Sequence, residues 1–250
     1  MAKEAVARGS RSSLRIVHRE DASSDGTAPK RPAKTRGKAT TRAGSVGRRA
    51  VPPSRPIARE TAKVHDAVGR ASRALERQYE REAVRILRPV AELHPEAAEV
   101  REMLGVALYR LGRWTAAQKE LEAFVKLTGS TEQHPVLMDC FRALGRHKKV
   151  EELWQELKAV SPAGEIVTEG RIVAAGSLAD RGKLPEAIKM LERGPVSNKR
   201  VGEHHLRLWY ALADLNERAG DLPGARSLFR RISSHDPAFF DVAERLAALS

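Results

Sequence analysis

A single cysteine, Cys140, stands in 250 residues, which excludes a disulfide framework. Leu137, Met138 and Phe141 flank it, so it reads as a small apolar filler rather than a nucleophile. Aromatic residues are scarce, and none falls in the first 58 positions. Base stacking is therefore not available to that stretch. No run of 18 apolar residues occurs, so no membrane span is expected. The first twenty residues carry charges throughout and lack the apolar core of a secretory signal, which makes the cytoplasm the expected location. HExxH, GxxxxGK[ST] and CxxC are all missing. His204 and His205 are adjacent and should point to different sides of a helix, so they make a poor shared metal site. The expectation is a chain with no catalytic residue, no metal site and no cofactor.

What is present falls into two parts. Residues 1–60 hold 15 Lys+Arg against 5 Asp+Glu, whereas residues 61–250 hold 30 against 27. Residues 1–58 show no apolar periodicity and are rich in Ala, Arg, Lys, Ser, Thr, Gly and Pro. Such a segment buries too little surface to offset its chain entropy, so a disordered basic arm is expected. Leu14, Ile16 and Val17 are its one short apolar knot, and Pro52, Pro53 and Pro56 close it. A flexible cationic arm attracts polyanions through counterion release, without sequence readout.

From Thr61 onward the apolar residues recur at helical spacing. Between Ala98 and Thr131, Val100, Met103, Leu104, Leu108 and Leu111 share one helical face. Gly112 then breaks the helix, and Trp114, Ala117, Leu121 and Phe124 share the face of a second. Two such short helices cannot bury both apolar faces against each other alone. The same unit repeats. Ala117 follows Gly112 by five residues, as Val150 follows Gly145, Ala187 follows Gly182 and Ala225 follows Gly220. A large apolar residue comes four positions later each time: Leu121, Trp154, Leu191 and Phe229. An earlier copy places Leu87 after Ala83, with Gln78 in the glycine position, and Pro95, Pro162 and Pro237 close three copies.

This pattern resembles the tetratricopeptide repeat, a helix-turn-helix unit of about 34 residues. Leu104-Gly105, the turn glycines, the small residues Ala83, Ala117, Ala187 and Ala225, and the closing prolines carry the match, together with Trp209, Leu212 and Ala213. Val150 and Gly194 depart from it. The resemblance implies an all-α, right-handed solenoid over residues 61–250. Five repeats are expected at about 64–97, 98–130, 131–165, 168–200 and 206–237, with a capping helix over 238–249. The connection 194–203 is the expected place for a kink.

The resemblance also implies a concave groove lined by the first helix of each repeat, where a protein or peptide binds. Its positions two, five, nine and twelve give Glu99, Glu102, Val106 and Tyr109 in the second repeat, then Glu132, Pro135, Asp139 and Arg142 in the third. Glu169, Ile172, Gly176 and Ala179 follow in the fourth, and Arg207, Tyr210, Asp214 and Glu217 in the fifth. Of these, Glu99, Glu102, Tyr109, Glu132, Asp139, Glu169, Tyr210 and Asp214 are the expected partner-binding residues. No copy offers the Lys and Asn with which some relatives clamp a peptide carboxylate, so the groove suits a basic or apolar segment. Two readings of function follow: a non-enzymatic scaffold for protein–protein interaction, or a nucleic-acid- or ribosome-associated factor anchored by the arm. No membrane partner is expected.

Overall fold

A computed structural model of the chain describes residues 55–160, 162–195 and 201–249. Among the described residues there are eleven helices and no strand. The first pair is α1 (Arg55–Glu76) with α2 (Glu80–Leu93), and the second is α3 (Ala98–Arg110) with α4 (Trp114–Thr128). The next are α5 (His134–Ala143) with α6 (His147–Val160), α7 (Gly164–Asp180) with α8 (Leu184–Glu192), and α9 (Glu203–Ala219) with α10 (Leu222–His235). Helix α11 (Val242–Ala248) closes the series against α10. This is the all-α solenoid that the repeat spacing predicts.

The turn glycines explain the pairing. Gly112, Gly145, Gly182 and Gly220 all have φ between +70° and +87°, the left-handed conformation that lets a helix end and reverse without a Cβ clash. The first repeat needs the same turn and makes it with Gln78 at φ 59°. Five residues after each lies the close-packing position. Ala83, Ala117, Ala187 and Ala225 have no exposed surface, and Val150 has almost none. Gly194 also has a packing reason: a Cβ there would lie 2.8 Å from Leu208 Cδ2 and 3.0 Å from the Leu191 carbonyl oxygen. Pro185 and Pro223 sit in the first turns of α8 and α10, where the missing N–H breaks no helical bond.

The start of the first helix differs from expectation. α1 begins at Arg55 rather than near Thr61, so Pro56 lies in its first turn instead of ending the arm. Proline is favourable there, because its φ is already helical. The rest of the expected arm, up to residue 54, lies outside the described residues. So do residues 196–200 of the connection expected to kink.

The stack has a preferred inner side. α1, α3, α5, α7 and α9 each contact the next in that series. No two even-numbered helices come within 8 Å of each other between Cα atoms in the described chain. Closer spacing of the odd helices curves the solenoid toward them. The core runs along the stack in three overlapping clusters. α7 buries Val173 and Ala174 on one side and Ile172, Ala175 and Ala179 on the other. α9 likewise divides Leu208 and Leu212 from Trp209 and Ala213. The inner helices are thus buried on two sides at once.

Candidate functional site

The inner face is where the repeat pattern puts a binding groove, and its polar side chains are mostly engaged with each other. Tyr109 on α3 donates its hydroxyl to Asp139 Oδ2 on α5 at 2.7 Å. Asp139 is 1% exposed and also meets Arg142 Nε at 2.9 Å as an ion pair. Arg142 reaches on to Asp180 at the end of α7, 3.7 Å away. Burial, then the neighbouring Asp139 charge, pushes the Tyr109 hydroxyl well above its ordinary pKa, so it stays protonated and donates.

The next junction repeats the device with other residues. Glu169 on α7 and Arg207 on α9 form a two-pronged pair, with Nε and Nη2 donating to the two carboxylate oxygens at 2.6 and 3.0 Å. A planar fork against a carboxylate is the strongest ion-pair geometry available to side chains. At the last junction Tyr210 on α9 donates to Asp241 Oδ1 at 2.6 Å. Arg245 on α11 donates to Asp214 at 3.1 Å and to Glu217 at 2.7 Å. Burial, helped by the bond to Asp241, raises the Tyr210 pKa as well. A polar ladder therefore ties α3 to α5, α5 to α7, α7 to α9 and α9 to α11. At its outer margin Gln133 donates to Glu102 at 2.8 Å.

These contacts sort the eight expected groove residues into two groups. Tyr109, Asp139, Tyr210 and Asp214 are buried and bonded to neighbouring repeats, and Glu169 is paired with Arg207. Glu102 is half-buried and accepts from Gln133. Glu99 and Glu132 are exposed, and their carboxylates make no ion pair or side-chain hydrogen bond among the described residues. Both lie where an inner helix starts, Glu99 in the first turn of α3 and Glu132 just before α5.

The sequence reading placed Arg142 and Arg207 on the groove face without pairing them, and missed Asp180, Gln133, Asp241 and Arg245 as members of this ladder. A signal was available. Glu169 and Arg207 occupy the same position in successive repeats, and opposite charges one repeat apart are placed to meet.

Cys140 is fully buried, and burial pushes its thiol up to about 12, which fits a filler of the core. The rings of His204 and His205 do not diverge as expected but lie 3.9 Å apart. His205 turns back so that its Nδ1 accepts from the Gly202 N–H at 3.0 Å, which caps α9 and brings the rings together. Burial, then the His205 charge, lowers the His204 pKa. No group of three or more potential metal-ligating side chains occurs among the described residues. No described helix is long and apolar enough to cross a membrane.

Comparison with known proteins agrees with the architecture. Residues 57–129 and 206–249 each match a tetratricopeptide repeat family profile. TTC0263, a thermophilic TPR protein of Thermus thermophilus, superposes with a TM-score of 0.54 at 16% identity, covering 76% of this chain and 98% of that one. A Podosopora anserina putative kinesin light chain with nearly identical TPR-like repeats gives 0.56 at 18% identity, over 69% of this chain and 93% of that one. MamA, from residue 41 to its end, of Desulfovibrio magneticus RS-1 gives 0.53 at 17% identity, over 71% and 97%. Likenesses at such identities concern the fold alone. No curated protein sequence matches the chain.

Proposed function

Because the chain belongs to the tetratricopeptide repeat family, whose repeats generally mediate protein–protein interaction, we propose that it is a non-enzymatic scaffold. It holds a segment of a partner protein along the margin where the inner helices begin. The observation that carries this reading is the split among the inner-face carboxylates. Glu169, Asp139 and Asp214 are engaged within the protein, whereas Glu99 and Glu132 present free charge at one repeat position in successive repeats. Like charges would repel a peptide carboxylate there, so the preferred partner segment is basic. Glu102, half-buried and bonded to Gln133, lies one turn further along α3.

The test is a titration of the full chain with a lysine-rich peptide and with an acidic peptide of equal length at low salt. The basic peptide is expected to bind more tightly, and its affinity to fall with salt. Glu99→Lys with Glu132→Lys is expected to abolish that preference, while Glu169→Gln changes stability rather than affinity. Tighter binding of the acidic peptide would overturn the reading.

A second reading rests on the charge of residues 1–60, with 15 Lys+Arg against 5 Asp+Glu. Contact with nucleic acid through this stretch would make RNA or DNA affinity steeply salt-dependent and would vanish when residues 1–54 are removed.

A further inference from the structure

Position four of a repeat is set against the outer helices, and in two repeats an acidic side chain faces it. Arg101, at that position in the second repeat, pairs with Glu120 on α4 and donates to the Ala91 carbonyl oxygen at 2.8 Å. His134, at that position in the third, is fully buried, with Glu156 Oε1 of α6 lying 3.5 Å from its Nε2. Glu120 stands three residues after the close-packing Ala117, and Glu156 six residues after Val150. The fourth repeat keeps a basic residue at position four, Arg171, but neither acid. The residue three after Ala187 is Met190, and the residue six after it is Arg193.

Arg171 is half-buried and held in place. Its Nη1 donates to the Met190 carbonyl oxygen at 3.1 Å, and its Cζ lies 5.4 Å from the centre of the Trp154 ring. Gly194 makes room for it, since a Cβ there would stand 3.2 Å from Arg171 Cδ. The glycine that departs from the repeat pattern thus accompanies the arginine that has lost its acid. A carbonyl carries no net charge, so these contacts orient Arg171 without neutralising it. Among the described residues its buried Nε has no hydrogen-bond partner, and no carboxylate pairs with Arg171 or Arg193. Burial, then the Arg193 charge, lowers the Arg171 pKa. Lys158 Nζ, 5.4 Å from the same ring centre, adds a third cation. A half-buried guanidinium beside like charges is costly unless an anion completes it.

We propose that Arg171 and Arg193, gathered beside Trp154 between α6 and the end of α8, bind a phosphate group. The second repeat shows what one arginine at position four takes: the single carboxylate of Glu120. Here two guanidiniums and a nearby ammonium call for more charge than one carboxylate carries. A phosphate monoester supplies about −1.5 to −2 at neutral pH, with three acceptor oxygens. Its geometry also suits the planar fork of an arginine. Free phosphate and a phosphoserine of a partner segment share this chemistry. The site faces the outer helices and uses neither Glu99 nor Glu132, so it stands or falls apart from the basic-peptide reading.

The experiment is calorimetric titration of the full chain with inorganic phosphate, and separately with a phosphoserine peptide of otherwise neutral sequence, against chloride of matched ionic strength. Saturable binding is expected, weakened at least about tenfold by Arg171→Met or by Arg193→Gln. Met190→Glu returns to the fourth repeat the carboxylate of the second. It should raise Tm in phosphate-free buffer and remove the phosphate binding. Equal affinity for the ion and the peptide assigns the site to free phosphate, and tighter binding of the peptide assigns it to a phosphorylated partner. Absence of saturable binding overturns the proposal. Residues 1–60 carry 15 Lys+Arg, so binding that is the same in the parent and in Arg193→Gln belongs to them and also overturns it. So does equal affinity for a peptide with glutamate in place of phosphoserine.

Discussion

From the second pair onward, the first and second helices of a repeat have opposite fates. In α5 every residue from His134 to Arg142 is buried, whereas its partner α6 buries only Val150, Trp154 and Leu157. α9 buries an unbroken run from His205 to Leu215, and α10 buries Ala225, Phe229 and Ile232. The difference is positional. An inner helix meets the inner helices before and after it as well as two outer ones, while an outer helix meets only inner ones. An outer helix can therefore be a simple amphipathic stripe. An inner helix must satisfy polar groups that its neighbours seal off from water, and the ladder from Tyr109 to Arg245 does this.

The strongest way to break this contrast is Asp139→Ala. It leaves Arg142, in a buried site, only the longer contact to Asp180 and deprives the Tyr109 hydroxyl of its acceptor, and chemical denaturation is expected to show a loss of about 3–5 kcal/mol. A smaller loss, about 1–3 kcal/mol, is expected in a thermal melt of Ala117→Leu. That change overpacks the closest point of an inner–outer helix contact, and Ala83, Ala187 and Ala225 should behave alike. Gln78→Gly should act in the other direction. Replacing the left-handed Gln78 by the glycine used in the other turns is expected to add about 1 kcal/mol of stability. The smallest effect belongs to the outer surface: Leu127→Ser, at an exposed site on α4, should stay within about 0.5 kcal/mol of the parent chain. A loss of several kcal/mol there would mean that the outer helices are covered in solution.

Much of the fold was legible because the outer helices and turns obey local rules. Gly112, Gly145, Gly182 and Gly220 mark left-handed turns, and Ala117 and its equivalents mark the close contacts, so the register could be read directly. α7 was harder. Ile172, Val173, Ala174 and Ala175 are consecutive and all buried, so they face every side and leave no amphipathic stripe. The groove was legible in position but not in availability. Glu99, Glu102, Glu132 and Glu169 look alike in sequence, and only their surroundings separate the free from the engaged. The early start of α1 escaped notice because Pro56 serves equally well before a helix or in its first turn.

The claim that inner-face polar residues join repeats rather than await a partner is tested most directly at Glu169 and Arg207. A double-mutant cycle of Glu169→Gln and Arg207→Gln, followed by urea denaturation of the full chain, measures their coupling. The predicted result is a favourable interaction of at least about 1 kcal/mol, with the two single losses together exceeding the loss of the double. Additive losses with no coupling, together with weakened basic-peptide binding by Glu169→Gln, would contradict it and place Glu169 among the residues that face a partner.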